Sequence, residues 1–327
     1  MSVLTDRYGR TLNYLRLSVT DRCNFRCYYC MPEEGMQFVD RADLLRLDEM
    51  LRLSRIFCGA GVQKIRITGG EPFLRKDLPQ FLTELAAIPG LNEISITTNG
   101  SLHERHLELL QKLGIRSINV SLDSLDPERF YHITRRDRFT AVYAGIEKML
   151  QLGFEVKLNA VIAAGVNTGD ILPFVELTRE KPLSVRFLEE MPFNGGDHDY
   201  RQTWSYQDIM THILAAYPVM ESLNDAPEST SVNYRIPDYI GSFGVIPAFS
   251  RTFCGTCNRI RLAATGELRT CLYGAPTSNL RDILRNGAND AQVLAEIAGS
   301  VAMREPDGYA AESANRAGHH SMSVLGG

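Results

Sequence analysis

A rhythm constrains this chain more than any other feature. From residue 12 to about 190, short β-branched runs alternate with longer stretches of helical period, the pattern of βα units around a parallel sheet. Six strands are expected: Tyr14–Thr20, Lys64–Thr68, Glu93–Thr98, Arg116–Leu122, Phe154–Val161 and Leu183–Leu188. Helices are expected near 48–59, 77–87, 102–113, 139–152 and 169–178. Side chains alternate along an extended chain, and here the two faces differ in kind. Leu15, Leu17 and Val19 share one face; Arg16, Ser18 and Thr20 share the other. In later strands Ile65 and Ile67 oppose Arg66 and Thr68, and Ile94 and Ile96 oppose Ser95, Thr97 and Asn99. Ile118, Val120 and Leu122 oppose Asn119, Ser121 and Asp123. Val156 and Leu158 oppose Lys157 and Asn159, and Val185 and Phe187 oppose Arg186. An ordinary barrel interior is packed with Val, Ile and Leu. A polar, basic face instead predicts a barrel, whether closed or not, whose interior holds a large anionic ligand. A solvated sheet face is the alternative, and a helix after each strand argues against it.

Composition narrows the class. With 44% hydrophobic and 23% charged residues and a net charge of −4, the chain is neither a basic nucleic-acid binder nor disordered. The first residues lack the apolar core of a signal peptide and no apolar run reaches membrane length, so no membrane partner and a cytoplasmic setting are expected. Neither Gly-x-Gly-x-x-Gly nor a Walker Gly-Lys-Ser/Thr appears, so nucleotide binding by those two devices is not indicated. After Met191-Pro192-Phe193-Asn194-Gly195-Gly196 the rhythm stops, and Asn224–Ser231 reads as a loop or linker. Two regions are expected, 1–220 and 221–327.

Six of the seven cysteines fall in two groups, which suits metal ligation better than a disulfide framework. Cys23, Cys27 and Cys30 have the spacing C-x3-C-x2-C and directly follow the first strand, at the rim where such folds carry their chemistry. Three thiolates on a four-iron cluster leave one iron open for a small ligand; a structural zinc with a fourth ligand from elsewhere is the alternative. Cys254, Cys257 and Cys271 read C-x2-C-x13-C, and spacing alone leaves zinc and iron–sulfur open. Arg259 and Arg261 would form a fork suited to phosphate if Ile260 points to the core, with a surface pair as the bland alternative. Gly69-Gly70-Glu71-Pro72 ends the second strand, where glycines would let a ligand approach the backbone and Glu71 would accept from an ammonium group. Cys58 is expected to be a buried core thiol, His103 and His106 surface residues, and Gly326-Gly327 a frayed end.

With an aromatic residue before the last cysteine of the first group and Gly-Gly-Glu-Pro after the next strand, the sequence resembles the radical S-adenosylmethionine superfamily. Cys254, Cys257, Cys271, Arg259-Ile260-Arg261 and Gly326-Gly327 make it similar to the family within it that acts on GTP at the first step of molybdenum cofactor biosynthesis. The similarity spans essentially the whole chain. It implies an α/β fold, an incomplete (β/α)6 TIM-like barrel with a C-terminal extension closing the open side. It implies two [4Fe–4S] clusters, one on Cys23, Cys27 and Cys30 and one on Cys254, Cys257 and Cys271. S-adenosylmethionine (SAM) would chelate the open iron of the first, with Tyr29, Gly70, Ser121 and Met191 around it. GTP would meet Arg16, Arg66, Thr97, Lys157, Arg259, Ile260 and Arg261, and the open iron of the second cluster would face its purine. Four of these, Arg16, Arg66, Thr97 and Lys157, already stand on the polar strand face. The implied reaction takes the 3′ hydrogen of GTP and joins that carbon to C8 of guanine. It implies an external one-electron reductant and a downstream enzyme that forms cyclic pyranopterin; a homodimer is compatible with it. The Gly326-Gly327 tail would tuck toward the active site. Alternatives are another radical SAM enzyme with an auxiliary cluster, acting on a different nucleotide or a peptide, and a non-catalytic iron–sulfur or zinc protein.

Overall fold

The computed structural model describes residues 3–31, 36–101, 104–191, 204–315 and 322. All six expected strands form, each end within two residues of its expected position: β1 (Tyr14–Ser18), β2 (Lys64–Thr68), β3 (Glu93–Thr98), β4 (Ser117–Ser121), β5 (Glu155–Ile162) and β6 (Ser184–Glu189). The helices between them are α1 (Leu47–Gly59), α2 (Leu78–Ala86), α3 (Glu104–Lys112), α4 (Pro127–Thr134), α5 (Phe139–Gln151) and α6 (Ile171–Leu177). Among these α4 was not expected. Asp126 caps it by accepting from Arg129 N, and Pro127 sits in its first turn, where a missing N–H costs nothing.

Helix α7 (Tyr206–Ala216) follows β6, and the C-terminal region contributes β7 (Glu221–Ser222), β8 (Val232–Arg235), β9 (Ser242–Ile246), β10 (Arg259–Leu262), β11 (Glu267–Arg269) and β12 (Ser278–Asn279). Helices α8 (Leu280–Arg285), α9 (Asp290–Ala302) and α10 (Gly308–Ala314) follow. Its strands join the same sheet, whose order is β12-β11-β10-β1-β2-β3-β4-β5-β6-β9-β8-β7. β10 pairs parallel with β1 and β9 parallel with β6, so the central eight strands are parallel; the outer pairs are antiparallel. The fold is thus α/β with a mostly parallel, open sheet. Ion pairs Arg285–Glu49 (2.8 Å) and Arg52–Asp290 (2.7 Å) fasten α8 and α9 to α1.

The two-faced strands sort as their alternation predicts. Leu15, Leu17, Ile65, Ile67, Ile118, Val120, Leu158 and Phe187 are buried beneath the helices with Phe57, Phe81 and Phe174. Burial of each such side chain is worth about 1.5–3 kcal/mol. Parallel register then aligns the polar residues in rows across the other face. Arg16 stands opposite both Arg66 and Arg261, Tyr14 opposite Lys64 and Arg259, and Asn159 opposite Arg186.

Two expectations change. His106 is buried, stacked on Phe73 at 4.7 Å, because α3 turns that position inward over the Gly-Gly-Glu-Pro segment; His103 lies outside the described residues. Cys58 is only half-buried at the margin of the core. The Gly326-Gly327 tail also lies outside the described residues. No helix among the described residues is long and apolar enough to cross a membrane.

Candidate active site

A cavity of about 520 Å³ opens on the polar face of the sheet. Both cysteine groups line it: Cys23, Cys27 and Cys30, and Cys254, Cys257 and Cys271. Topology sets them apart. The first group follows the C-terminal end of β1. Cys257 precedes β10, which runs parallel to β1, and Cys271 follows β11, which runs antiparallel to β10. Hence the second group sits at the N-terminal end of the strands. The five residues of β1 between the two ends span roughly 16 Å at about 3.3 Å each.

The first cysteine loop is held by α4. Arg26 N donates to Thr134 O (3.0 Å), Tyr28 N to Ile133 O (3.2 Å), and Phe25 packs edge-on against Phe130 (5.9 Å). The Cys23 sulfur accepts from Phe25 N (3.4 Å) and from Asn99 Nδ2 (3.8 Å). At the other end, the Cys257 sulfur receives Arg304 Nη2 at 3.0 Å and Arg259 Nη1 at 3.7 Å. Burial alone would raise the Cys257 thiol, but Arg304 and Arg259 outweigh it and bring it down to about 7. Sulfurs supplied with N–H donors and cations suit thiolate ligands. Among the described residues no three His, Cys, Asp or Glu side chains converge on a single metal ion. Thiolates of a four-iron cluster bind separate irons and need no such convergence.

Between the two groups the cavity wall is cationic. Arg16, Arg66, Lys157, Arg259 and Arg261 line it with Thr97, as do Lys64 and Arg186. Burial, then Arg261, holds Arg16 well below the usual guanidinium range. Arg186 is lowered to about 10 by burial and then by Arg66, and Arg261 to about 10, chiefly by burial. Lys157 is lowered by burial and by Arg186, Arg66 and Lys64. The same cations outweigh burial at Tyr14 and lower its phenol, Arg66 and Arg16 acting most strongly. This crowding of like charges is a standing cost that a polyanion would offset. Tyr14 OH, Thr97 Oγ1, Asn159 Oδ1 and Arg186 Nε are buried here without hydrogen-bond partners among the described residues. Unsatisfied buried polar atoms cost about 1–3 kcal/mol each, and on a cavity wall they mark ligand positions.

Near the first cysteine group, Tyr29, Gly70, Ser121 and Met191 all line the cavity. Tyr29 OH donates to Asp123 Oδ2 (2.7 Å), which ties the cysteine loop to the end of β4. Burial pushes Asp123 up to about 6. Glu71 does not reach the cavity as expected. It is fully buried, accepting from Thr98 Oγ1 (2.9 Å), Asn99 N (2.7 Å) and Phe73 N (3.2 Å), and so stitches the Gly-Gly-Glu-Pro turn to the end of β3. The glycines serve the same packing. A side chain on Gly69 would collide with Thr20 O, and one on Gly70 with Arg22 O. Both glycines nonetheless line the cavity, as a close ligand approach to their backbone requires. Ile260 points its side chain into the core, away from the cavity, which turns Arg259 and Arg261 into it.

Sequence reasoning missed several wall residues. Lys64 and Tyr14 stand at the strand starts, where alternation places them on the polar face with Arg66 and Arg16. The Asn224–Ser231 stretch is a cavity wall rather than a linker: Asp225, Glu228 and Ser229–Ser231 line the cavity, and Arg259 Nη2 donates to Glu228 O (2.8 Å). A polar loop has no periodicity to reveal such a role.

Two known protein families match consecutive parts of the chain. Residues 17–178 match the Radical SAM superfamily and residues 183–310 match Molybdenum Cofactor Synthesis C. The chain is 40% identical over 325 residues to the GTP 3′,8-cyclase of Moorella thermoacetica, covering 99% of this chain and 100% of that protein. It is 44% identical over 303 residues to molybdenum cofactor biosynthesis protein 1 of Bos taurus, covering 92% of this chain and 48% of that one. This chain therefore spans about half the length of that relative. Among solved structures, SuiB of Streptococcus suis is similar in fold, with a TM-score of 0.57 at 14% identity over 86% of this chain and 64% of that one.

Proposed function

Because this chain belongs to the family of the GTP 3′,8-cyclases, within the radical SAM superfamily, we propose that it cyclises GTP to (8S)-3′,8-cyclo-7,8-dihydroguanosine 5′-triphosphate, the first step of molybdenum cofactor biosynthesis. One observation carries the reading: a single cavity has a cysteine trio at each end and a cationic wall between them. Neither trio alone would call for a triphosphate, and the cations alone would not call for redox chemistry.

In this reading Cys23, Cys27 and Cys30 hold one [4Fe–4S] cluster, with SAM among Tyr29, Gly70, Ser121 and Met191. Cys254, Cys257 and Cys271 hold a second. When bound, the first cluster and SAM supply the one-electron chemistry that hydrogen abstraction needs and that no side chain provides. The protein's own part is positioning. Arg16, Arg66, Lys157, Arg259 and Arg261, with Lys64 and Arg186, neutralise the triphosphate, and Thr97 Oγ1 and Asn159 Oδ1 offer hydrogen bonds to ribose or base. Ile260 acts by holding its two arginine neighbours on one face. The open sheet reads as an incomplete (β/α)6 barrel, with residues 221–327 supplying the wall on its open side; the lining of the cavity by both regions supports this. The reaction also requires an external one-electron reductant and a downstream enzyme that consumes the cyclised nucleotide.

Anaerobic incubation with SAM, a reductant and GTP tests the proposal. Cyclised dihydro-GTP should appear together with 5′-deoxyadenosine. Appearance of 5′-deoxyadenosine without a cyclised nucleotide would assign the chain to a different substrate, and zinc without iron or sulfide after reconstitution would remove the radical reading altogether.

A further inference from the structure

Arg304 lies between α9 and α10, and nothing in the proposed binding of GTP or SAM uses it. Its side chain is 4% exposed, and both of its terminal nitrogens are directed at one residue of the second cysteine trio. Nη2 approaches the Cys257 sulfur at 3.0 Å, while Nη1 donates to the Cys257 carbonyl at 2.7 Å. A planar guanidinium thereby fixes the sulfur and the backbone of the same ligand at once through a pre-organised fork, where a lysine offers a single flexible nitrogen.

Behind Arg304 stands a buried acid. Asp6 Oδ2 is 3.6 Å from Arg304 Nη1 and accepts from Arg10 Nε at 2.6 Å. Arg10 in turn donates to Cys254 O (3.0 Å), Pro306 O (2.6 Å) and Glu305 O (2.7 Å). In this group two arginines face one aspartate, and Arg259 Nη1 brings a further cation to 3.7 Å from the Cys257 sulfur. Removing Arg304 would not strand Asp6, which keeps Arg10.

We propose that Arg304 is a positioning residue of the second cluster, which orients Cys257 and raises the cluster's reduction potential through a charge-assisted N–H···S bond to that ligand. The proposal rests on the reading that Cys254, Cys257 and Cys271 hold an iron–sulfur cluster. Reduction adds negative charge to the cluster and its sulfurs, so a cation and donor at one sulfur favour the reduced form. Asp6 opposes this by partly offsetting the same cation.

The test uses a chain carrying Cys23→Ser, Cys27→Ser and Cys30→Ser, so that only the second cluster can form. Iron and sulfide are assayed after anaerobic reconstitution, and the midpoint potential is followed by electron paramagnetic resonance. Arg304→Met should keep the cluster and disfavour reduction about tenfold, a fall of ~59 mV for one electron. Arg304→Lys should recover part of that fall, and Asp6→Asn should move the potential upward. An unchanged midpoint in a loaded Arg304→Met protein, or shifts of the same sign in Arg304→Met and Asp6→Asn, would overturn the proposal. If Arg304→Met does not load, Asp6→Asn decides: an upward shift supports the proposal and no shift overturns it. A parent protein that binds no iron and sulfide would instead overturn the second-cluster reading itself.

Discussion

Arg16 and Arg261 stand directly opposite each other on β1 and β10, two cations from opposite ends of the chain brought into one row of a parallel ladder. Arg66 completes the row on β2. Like charges in such a row repel, and an anion lying across it would offset the repulsion. Arg261→Ala is therefore expected to weaken GTP binding by about 10²-fold or more, in line with the few kcal/mol lost when one partner of a desolvated charge pair is removed. The melting temperature without nucleotide should move by no more than about 2–4 °C. Anaerobic calorimetric titration with GTP and thermal melts measure the two effects separately.

Glu71 gives a pH signature. Burial raises its carboxyl from 4.5 to about 7, so the folded chain binds this proton more tightly than the unfolded chain does. The associated stability is fully present below about pH 4.5 and is lost as pH rises to about 7. Glu71→Gln has no such titration. Relative to this variant, the parent chain should lose roughly 3 kcal/mol of stability between pH 5 and pH 8. Guanidinium unfolding of both cluster-free proteins at the two pH values checks this; an equal gap at both would mean the carboxyl is already ionised at pH 5.

Gly70→Ala should damage the first cysteine loop without changing any of its cysteines. The added methyl meets Arg22 O, where Gly70 N donates to Thr20 O (2.8 Å) and Glu71 N to Arg22 O (2.8 Å), so the loop backbone must move. Overpacking of this kind costs about 1–3 kcal/mol. Lower iron retention at the first trio, measured in a chain whose second trio is Cys254→Ser, Cys257→Ser and Cys271→Ser, is the expected result. Full loading at parental stability would show that the loop yields more easily than its contacts indicate.

Cys271→Ala should reduce bound iron from about eight to about four per chain. Reductive cleavage of SAM should persist, because the first trio lies at the other end of the strands, while GTP cyclisation should be lost. Iron analysis with paired assays of 5′-deoxyadenosine and cyclised nucleotide separates these outcomes. Loss of SAM cleavage with four irons still bound would contradict separate roles.

The six central strands, and the face each presents, were legible because alternation in a strand is a local code: Arg16, Arg66, Thr97 and Lys157 could be set on one wall from their neighbours alone. Pairing between distant segments has no local code. That β10 would lie beside β1, and β9 beside β6, follows from tertiary packing, so the opposition of Arg16 to Arg261 could not be read beforehand. Helix α4 did have a signal, Asp126-Pro127-Glu128, which is an N-cap followed by proline and acid in the first turn. Glu71 misled because a carboxylate at a strand end is equally suited to a ligand or to neighbouring N–H groups, and only burial distinguishes the two. His106 misled for a related reason: its place on the inner side of α3 depends on Phe73, which is remote in sequence.

The attachment of β9 and β10 to the two flanks of the six-strand core also has a consequence during synthesis. Until β9 has left the ribosome β6 presents an unpaired edge, and until β10 has left it β1 does, the kind of surface on which chains join one another. Over the same interval the arginine row lacks Arg261 and the cavity lacks its second thiol group. The nascent chain is thus vulnerable to aggregation for as long as its cationic wall is incomplete, and both conditions end only with the docking of β10, the later of the two strands.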